Sequence, residues 1–194
     1  MLGNIAFTQA KSGVENYNQL GQGNEYIWMP VVHYQTKKGM YAELRYNYED
    51  LKTFSMYGGK SFTGGTDLQY TVIPMAGYCT GKFSGFSLAT NAEAEWKDFY
   101  LSTQTQYSMA TKKNTANFFF SWSEAGYNIF RNFFAGLAVQ YTRQQGVNDL
   151  QPGFVTGLNF KDISIPFYMF SPFQPGRYFV LGFNYEYHLK TKSK

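Results

Sequence analysis

With 194 residues the chain is long enough for one compact unit and too short for two cores of useful size, so it reads as a single domain over 1–194. Aromatic residues make up 20% of it and charged residues only 15%, against about 25% charged in an ordinary soluble domain, a balance that suits a lipid-facing surface better than a solvated one. The net charge of +4 comes from scattered lysines without a basic stripe, which excludes nucleic acid as a partner; the single Cys79 excludes an internal disulfide, and no Cys or His cluster has metal-ligand spacing, so no cofactor or metal is expected.

Met1 is followed at once by a polar, strand-like segment with no basic n-region and no apolar h-region, so a secretory signal is absent from the sequence as it stands. No stretch approaches the roughly 20 apolar residues of a transmembrane helix. From Tyr26 onwards apolar and polar residues alternate instead, broken every ten to fifteen residues by short Gly, Lys, Asp or Asn clusters. Phe99, Leu101, Tyr107 and Met109 alternate with Ser102, Gln104, Gln106 and Ser108 on the other face; Phe133, Ala135, Leu137, Val139 and Tyr141 repeat the pattern, as do Phe179, Leu181, Phe183, Tyr185 and Tyr187.

The predicted strands are 2–10, 25–36, 40–51, 53–62, 66–80, 83–96, 99–110, 116–128, 133–142, 150–160, 163–171 and 179–187. They describe an all-β, closed, antiparallel, up-and-down transmembrane barrel of about twelve strands, with ten or eight still open at the weak joints 50–53 and 81–82. Breaks at 37–39, 63–65, 97–98, 131–132 and 161–162 are short and fall at every second junction, as periplasmic turns do; the breaks 11–24, 111–115 and 144–149 are longer and suit the extracellular side. A lipid-exposed sheet must close, because an open edge leaves backbone groups unpaired where there is no water. Tyr26, Trp28, Tyr78, Trp96, Phe99, Phe130, Phe160 and Tyr187, near strand ends, would form interfacial girdles. Pro30, Pro74, Pro152 and Pro166 interrupt strand patterns and are expected at bulges or strand ends.

If the apolar face meets lipid, the opposite face lines the lumen, and the candidate lining residues are His33, Glu43, Arg45, Asn47, Asn91, Glu93, Glu95, Glu124, Asn184 and Glu186, with His188 near the rim. A basic side chain on the lipid face costs up to about 2–4 kcal/mol near the midplane, so inward is the cheaper placement for Arg45. A carboxylate-rich lumen crossed by Arg45 is either a cation-favouring constriction or, as the preferred reading, a salt-bridged plug that holds a narrow barrel rigid. Glu93 with Glu95, and Glu43 with Glu49, could serve as glycosidase-type carboxylate pairs, but a polar lining produces the same spacing. The glycines of Tyr57-Gly58-Gly59-Lys60-Ser61 lack the phosphate-loop spacing.

The segments Trp28-Met29-Pro30-Val31-Val32-His33-Tyr34, Tyr41-Ala42-Glu43-Leu44-Arg45-Tyr46-Asn47-Tyr48-Glu49-Asp50 and Phe179-Val180-Leu181-Gly182-Phe183 resemble those of outer-membrane β-barrel proteins of the Bacteroidota type, a group without a settled activity. The resemblance implies location in the bacterial outer membrane and assembly by the usual insertion machinery. The expected function is a small outer-membrane barrel, a narrow pore or a structural component of an envelope assembly, not an enzyme. Outer-membrane lipid is the expected partner, with other envelope proteins beside it, and the identity of any small solute or ion is left open. Two alternatives stand beside it. A soluble lipocalin-like carrier would point the apolar face inward around a lipophilic ligand, and an outer-membrane lipid-modifying enzyme would place a Ser–His pair at one rim.

Overall fold

In the computed structural model, which describes residues 10–21 and 25–189, strict two-residue alternation produces strands and nothing else of length. They are β1 (Lys11–Leu20), β2 (Tyr26–Gln35), β3 (Met40–Tyr46), β4 (Thr53–Lys60), β5 (Phe62–Gly64), β6 (Leu68–Gly81), β7 (Gly85–Trp96), β8 (Phe99–Ala110), β9 (Phe118–Phe130), β10 (Phe133–Gln144), β11 (Val147–Phe160), β12 (Ile163–Phe170) and β13 (Tyr178–His188). Apart from β4 and β5, which both pair with β6, each strand pairs antiparallel with its chain neighbours, and β1 pairs with β13, so the sheet closes. β5 continues β4: Gly59 pairs with Met75 and Phe62 with Val72 in one unbroken register. The wall is therefore a closed antiparallel barrel of twelve staves.

At one end, the turn end, lie residues 37–38, 97–98, 131–132 and 161–162, each a two-residue turn, with Lys97 and Lys161 at positive φ. Lys11 and His188 pair at this same end. The other end, the loop end, carries the connections 47–52, 82–84, 111–117 and 171–177.

Three expectations change. The segment 11–24, expected as a long loop, contains β1, while the predicted strand 2–10 lies, except for Ala10, outside the described residues. The expected loop 144–149 is a tight hairpin in which Gln145 and Gly146 both adopt positive φ, as a type I′ turn requires; β10 stays paired with β9 to Gln144, and β11 runs on past the end of its ladder with β12. The prolines cause no bulge. Each pairs on one side and turns its missing N–H towards a gap or ladder end on the other. Pro30 pairs with Asn16 beyond the end of the β2–β3 ladder. Pro74 pairs with Thr90 opposite the β4–β5 break. Pro152 pairs with Val139 just outside the β11–β12 ladder, and Pro166 pairs with Gly157 opposite a gap in the β12–β13 ladder. The register shift that does occur is between β9 and β10, at Phe133 and Phe134.

The apolar face points outward. Leu88, Leu101 and Leu137 are about 60% exposed within their strands, whereas Ser87, Gln106 and Ser108 on the opposite face are buried. Aromatic rings gather at both ends of the outer wall. Trp96 stacks on Phe99 and Phe99 meets Tyr127 at the turn end, and Tyr78 meets Phe86 and Trp28 meets Tyr46 at the loop end. This orientation is the reverse of what a carrier with an apolar lining needs. Cys79 points inward from β6 and has no exposed surface. A water-soluble maleimide should leave it unmodified in the folded barrel and label it fully after denaturation; rapid labelling of folded protein would mean that β6 is out of register by one residue.

Candidate functional site

The interior divides into a filled half towards the loops and an open half towards the turns. The filled half is built around Arg45. Its strand, β3, ends at Tyr46, and the chain then turns at Asn47, in the left-handed region at φ 57°, and folds back into the barrel mouth. Lys52 N–H donates to Asn47 Oδ1 (2.6 Å) and Asn47 Nδ2 to Trp28 O (2.9 Å), which fixes this turn. Asn47 is thus a loop-fixing residue rather than a lining one, because β3 stops before the alternation reaches it.

The loop brings Tyr48 and Glu49 onto the Arg45 guanidinium, whose carbon lies 4.6 Å from the Tyr48 ring centre and 4.5 Å from that of Tyr57. Arg45 pairs with Glu43 and, at 3.6 Å, with Glu49. Its Nη1 donates across the lumen to Gln106 on β8 (2.9 Å). Tyr48 donates to Gln104; Ser55 and Tyr57 donate to Glu49; Tyr41 donates to Glu43 (2.6 Å), as does Asn91 (3.3 Å). Arg45 and Glu43 are each 2% exposed. The pairing of Glu43 with Glu49 is therefore a shared salt bridge to Arg45, not a catalytic pair. Beside it, Tyr17, Trp122, Tyr168, Phe170 and Tyr178 form a second, aromatic block, with Tyr17 and Trp122 meeting across the lumen at 5.6 Å.

The open half is a cavity of about 510 Å³. Glu93 and Glu95 from β7, Glu124 from β9, Glu15 from β1, and Asn184 and Glu186 from β13 line it, together with His33 and His188. His33 lies 3.6 Å from Glu15 and 3.8 Å from Glu186, stacks on Tyr41, and leaves no room for a side chain at residue 13, where a Cβ would come within 2.5 Å of its ring. Lys11 also binds Glu186 (2.8 Å). Glu93, Glu95 and Glu124 have no cation within 4 Å among the described residues, although Tyr168 donates to Glu124 (2.8 Å). Neither histidine hydrogen-bonds to a serine among the described residues, so the rim pair of a lipid hydrolase is not formed there.

Ten candidates were named from sequence; Glu43, Arg45 and Asn91 meet in the filled half, while His33, Glu93, Glu95, Glu124, Asn184 and Glu186 surround the cavity. Tyr48, Tyr57, Gln104 and Gln106 complete the Arg45 cluster, and Tyr100 and Trp122 the cavity wall; none was among the ten, although the alternation over 99–110 places Gln104 and Gln106 on the inward face. Tyr57 shares the inward parity of Arg45 and could have been found by carrying the same alternation into β4.

No protein-family model matches this sequence, and no curated protein sequence matches it. Solved structures do. The KdgM porin in complex with disordered oligogalacturonate is similar at a TM-score of 0.67 with 9% identity, covering 91% of this chain and 99% of that one. The NanC porin is similar at 0.64 with 11% identity, covering 89% and 98%. At this identity the likeness is one of fold, and the fold is that of a small porin-like barrel.

Proposed function

We propose that this protein is a small outer-membrane barrel acting as a narrow channel, with its turn end in the periplasm and its lumen latched from the other side by residues 47–52. The carrying observation is a closed barrel with an apolar, aromatic-banded exterior around a polar interior whose cavity stops at the Arg45 cluster. Short turns and both described chain ends at one rim support the periplasmic assignment. The sequence resemblance to Bacteroidota barrels belongs to this reading and rests on residues 28–34, 41–50 and 179–183 alone. Acidic saccharides such as the oligogalacturonate of the KdgM structure do not suit this lumen, because their carboxylates would meet Glu93, Glu95 and Glu124.

Single-channel recording of refolded protein in planar bilayers tests it. Wild type should insert with little or no conductance, and Tyr48→Ala with Glu49→Ala, which removes the two loop side chains from the lumen, should give discrete steps severalfold larger. Cation preference in that background should fall on Glu93→Gln. Equal conductance in both proteins would show that the loop is no latch. Silence in both would favour a rigid scaffold barrel, the role that the Arg45 cluster would serve as a permanent plug.

A further inference from the structure

We infer that the turn-end cavity is a binding site for organic ammonium cations, with short linear diamines the best-fitting class; the inference rests on the barrel described above and assigns a ligand to its open half. The strand register sets the geometry. Glu93 pairs with Ser102, and Ser102 with Glu124, so the two carboxylates stand at one level on either side of β8. Two strand spacings separate their backbones by about 10 Å, and both side chains point into the cavity, a span that a short diamine bridges with one ammonium at each carboxylate. One step towards the turn end, Glu95 pairs with Tyr100, whose ring lies over Gly126, where any Cβ would collide with it. One step towards the loops, the Trp122 ring closes the site against Tyr17 and Tyr168, at 5.6 and 5.0 Å.

The charge on this wall is unspent. Lys11 and His33 are held by Glu186 and Glu15, His188 by Glu186, and Arg45 by Glu43 and Glu49, while Lys161, also in the cavity lining, makes no ion pair with Glu93, Glu95 or Glu124 among the described residues. Carboxylates over aromatic faces select a cation with an apolar body. A second observation also points to a ligand. Two atoms of the cavity lining that can accept a hydrogen bond, Tyr100 Oη and Asn184 Oδ1, are shielded from bulk solvent yet make none to the protein, and the Trp122 ring of the same lining is only 7% exposed. A bare metal ion fits less well: no group of three or more His, Cys, Asp or Glu side chains stands close enough to hold one among the described residues.

Titration calorimetry on the full refolded chain in detergent micelles tests the assignment, with 1,4-diaminobutane as the probe and 1,4-butanediol and Mg²⁺ as comparisons. The diamine should bind one to one, at least tenfold more tightly than either comparison. Glu93→Gln and Glu124→Gln should each weaken it by roughly tenfold, the scale of one lost charge-assisted contact. Trp122→Phe keeps a ring and removes the N–H; it should preserve most of the diamine affinity, whereas Trp122→Leu should lose it, and folding of each variant is checked by resistance to SDS on unheated gels. Equal binding of the diol would show that no ammonium is recognised. Equal binding of Mg²⁺, indifferent to Trp122→Leu, would reduce the site to an acidic rim, and no diamine binding at all would overturn the inference outright. The channel reading fails separately: a barrel that binds the diamine but stays silent with the loop residues removed keeps the site and loses the channel, and one that conducts but binds no diamine does the reverse.

Discussion

Arg45→Met should destabilise the barrel by about 3–5 kcal/mol, read as a lowered urea midpoint for protein refolded into lipid vesicles. The guanidinium is 2% exposed and is held by two carboxylates, two tyrosine faces and Gln106. A methionine fills similar volume but leaves Glu43 and Glu49 as two like charges out of water with nothing opposite them. Removing one partner of a buried ionic group costs far more than removing all of it. Arg45→Met combined with Glu43→Gln and Glu49→Gln should therefore recover most of the loss. The triple variant also distinguishes stability from closure, since it keeps the bulk of the cluster without its ions. A wild-type midpoint in Arg45→Met would mean that the guanidinium does not sit between these carboxylates.

The strands from Tyr26 onwards were legible because a wall with lipid-type side chains on one face and polar ones on the other writes period two directly into the sequence, as Phe99 to Met109 shows. β1 was not, because its outward face carries Ser12, Asn16 and Asn18 in place of apolar residues. The fold tolerates them near the loop end: Trp28 Nε1 donates to Asn16 Oδ1 and the Tyr26 hydroxyl to Asn18 Oδ1, both at 2.5 Å, so aromatic neighbours satisfy the amides. Nor could the sequence reveal the inward fold of residues 47–52. Parity along β3 marks Glu43 and Arg45 as interior, but parity ends with the strand, and what draws Tyr48 and Glu49 into the lumen is the charge of Arg45, a partner on a different element from the loop. The same holds for Trp122, whose inward parity was visible while its contacts with Tyr17 and Tyr168, from strands far away in sequence, were not.

The outward apolar face carries the membrane reading, and one pair of substitutions tests it with the second-largest effect. Leu137, on the outward face, and Val147, of the opposite parity at the hairpin tip, are both strongly exposed, at 61% and 69%, and lie on adjoining strands of one hairpin. In water, exposed sites of this kind accept arginine at little cost, within about 0.5 kcal/mol at either position. In a bilayer they differ. Leu137 lies at mid-strand, between Ala125 and Phe154, where the hydrocarbon is deepest, while Val147 stands at the hairpin tip beyond the aromatic band. Leu137→Arg should therefore cost about 2–4 kcal/mol in vesicles and Val147→Arg close to nothing. The same two proteins in a micelle of short-chain detergent should show a smaller gap, because a thin, mobile apolar layer lets the guanidinium reach water. Two equal and small costs in vesicles would mean that the outer wall is not in contact with lipid, and the large apolar surface around Leu137 would then need a protein partner to cover it.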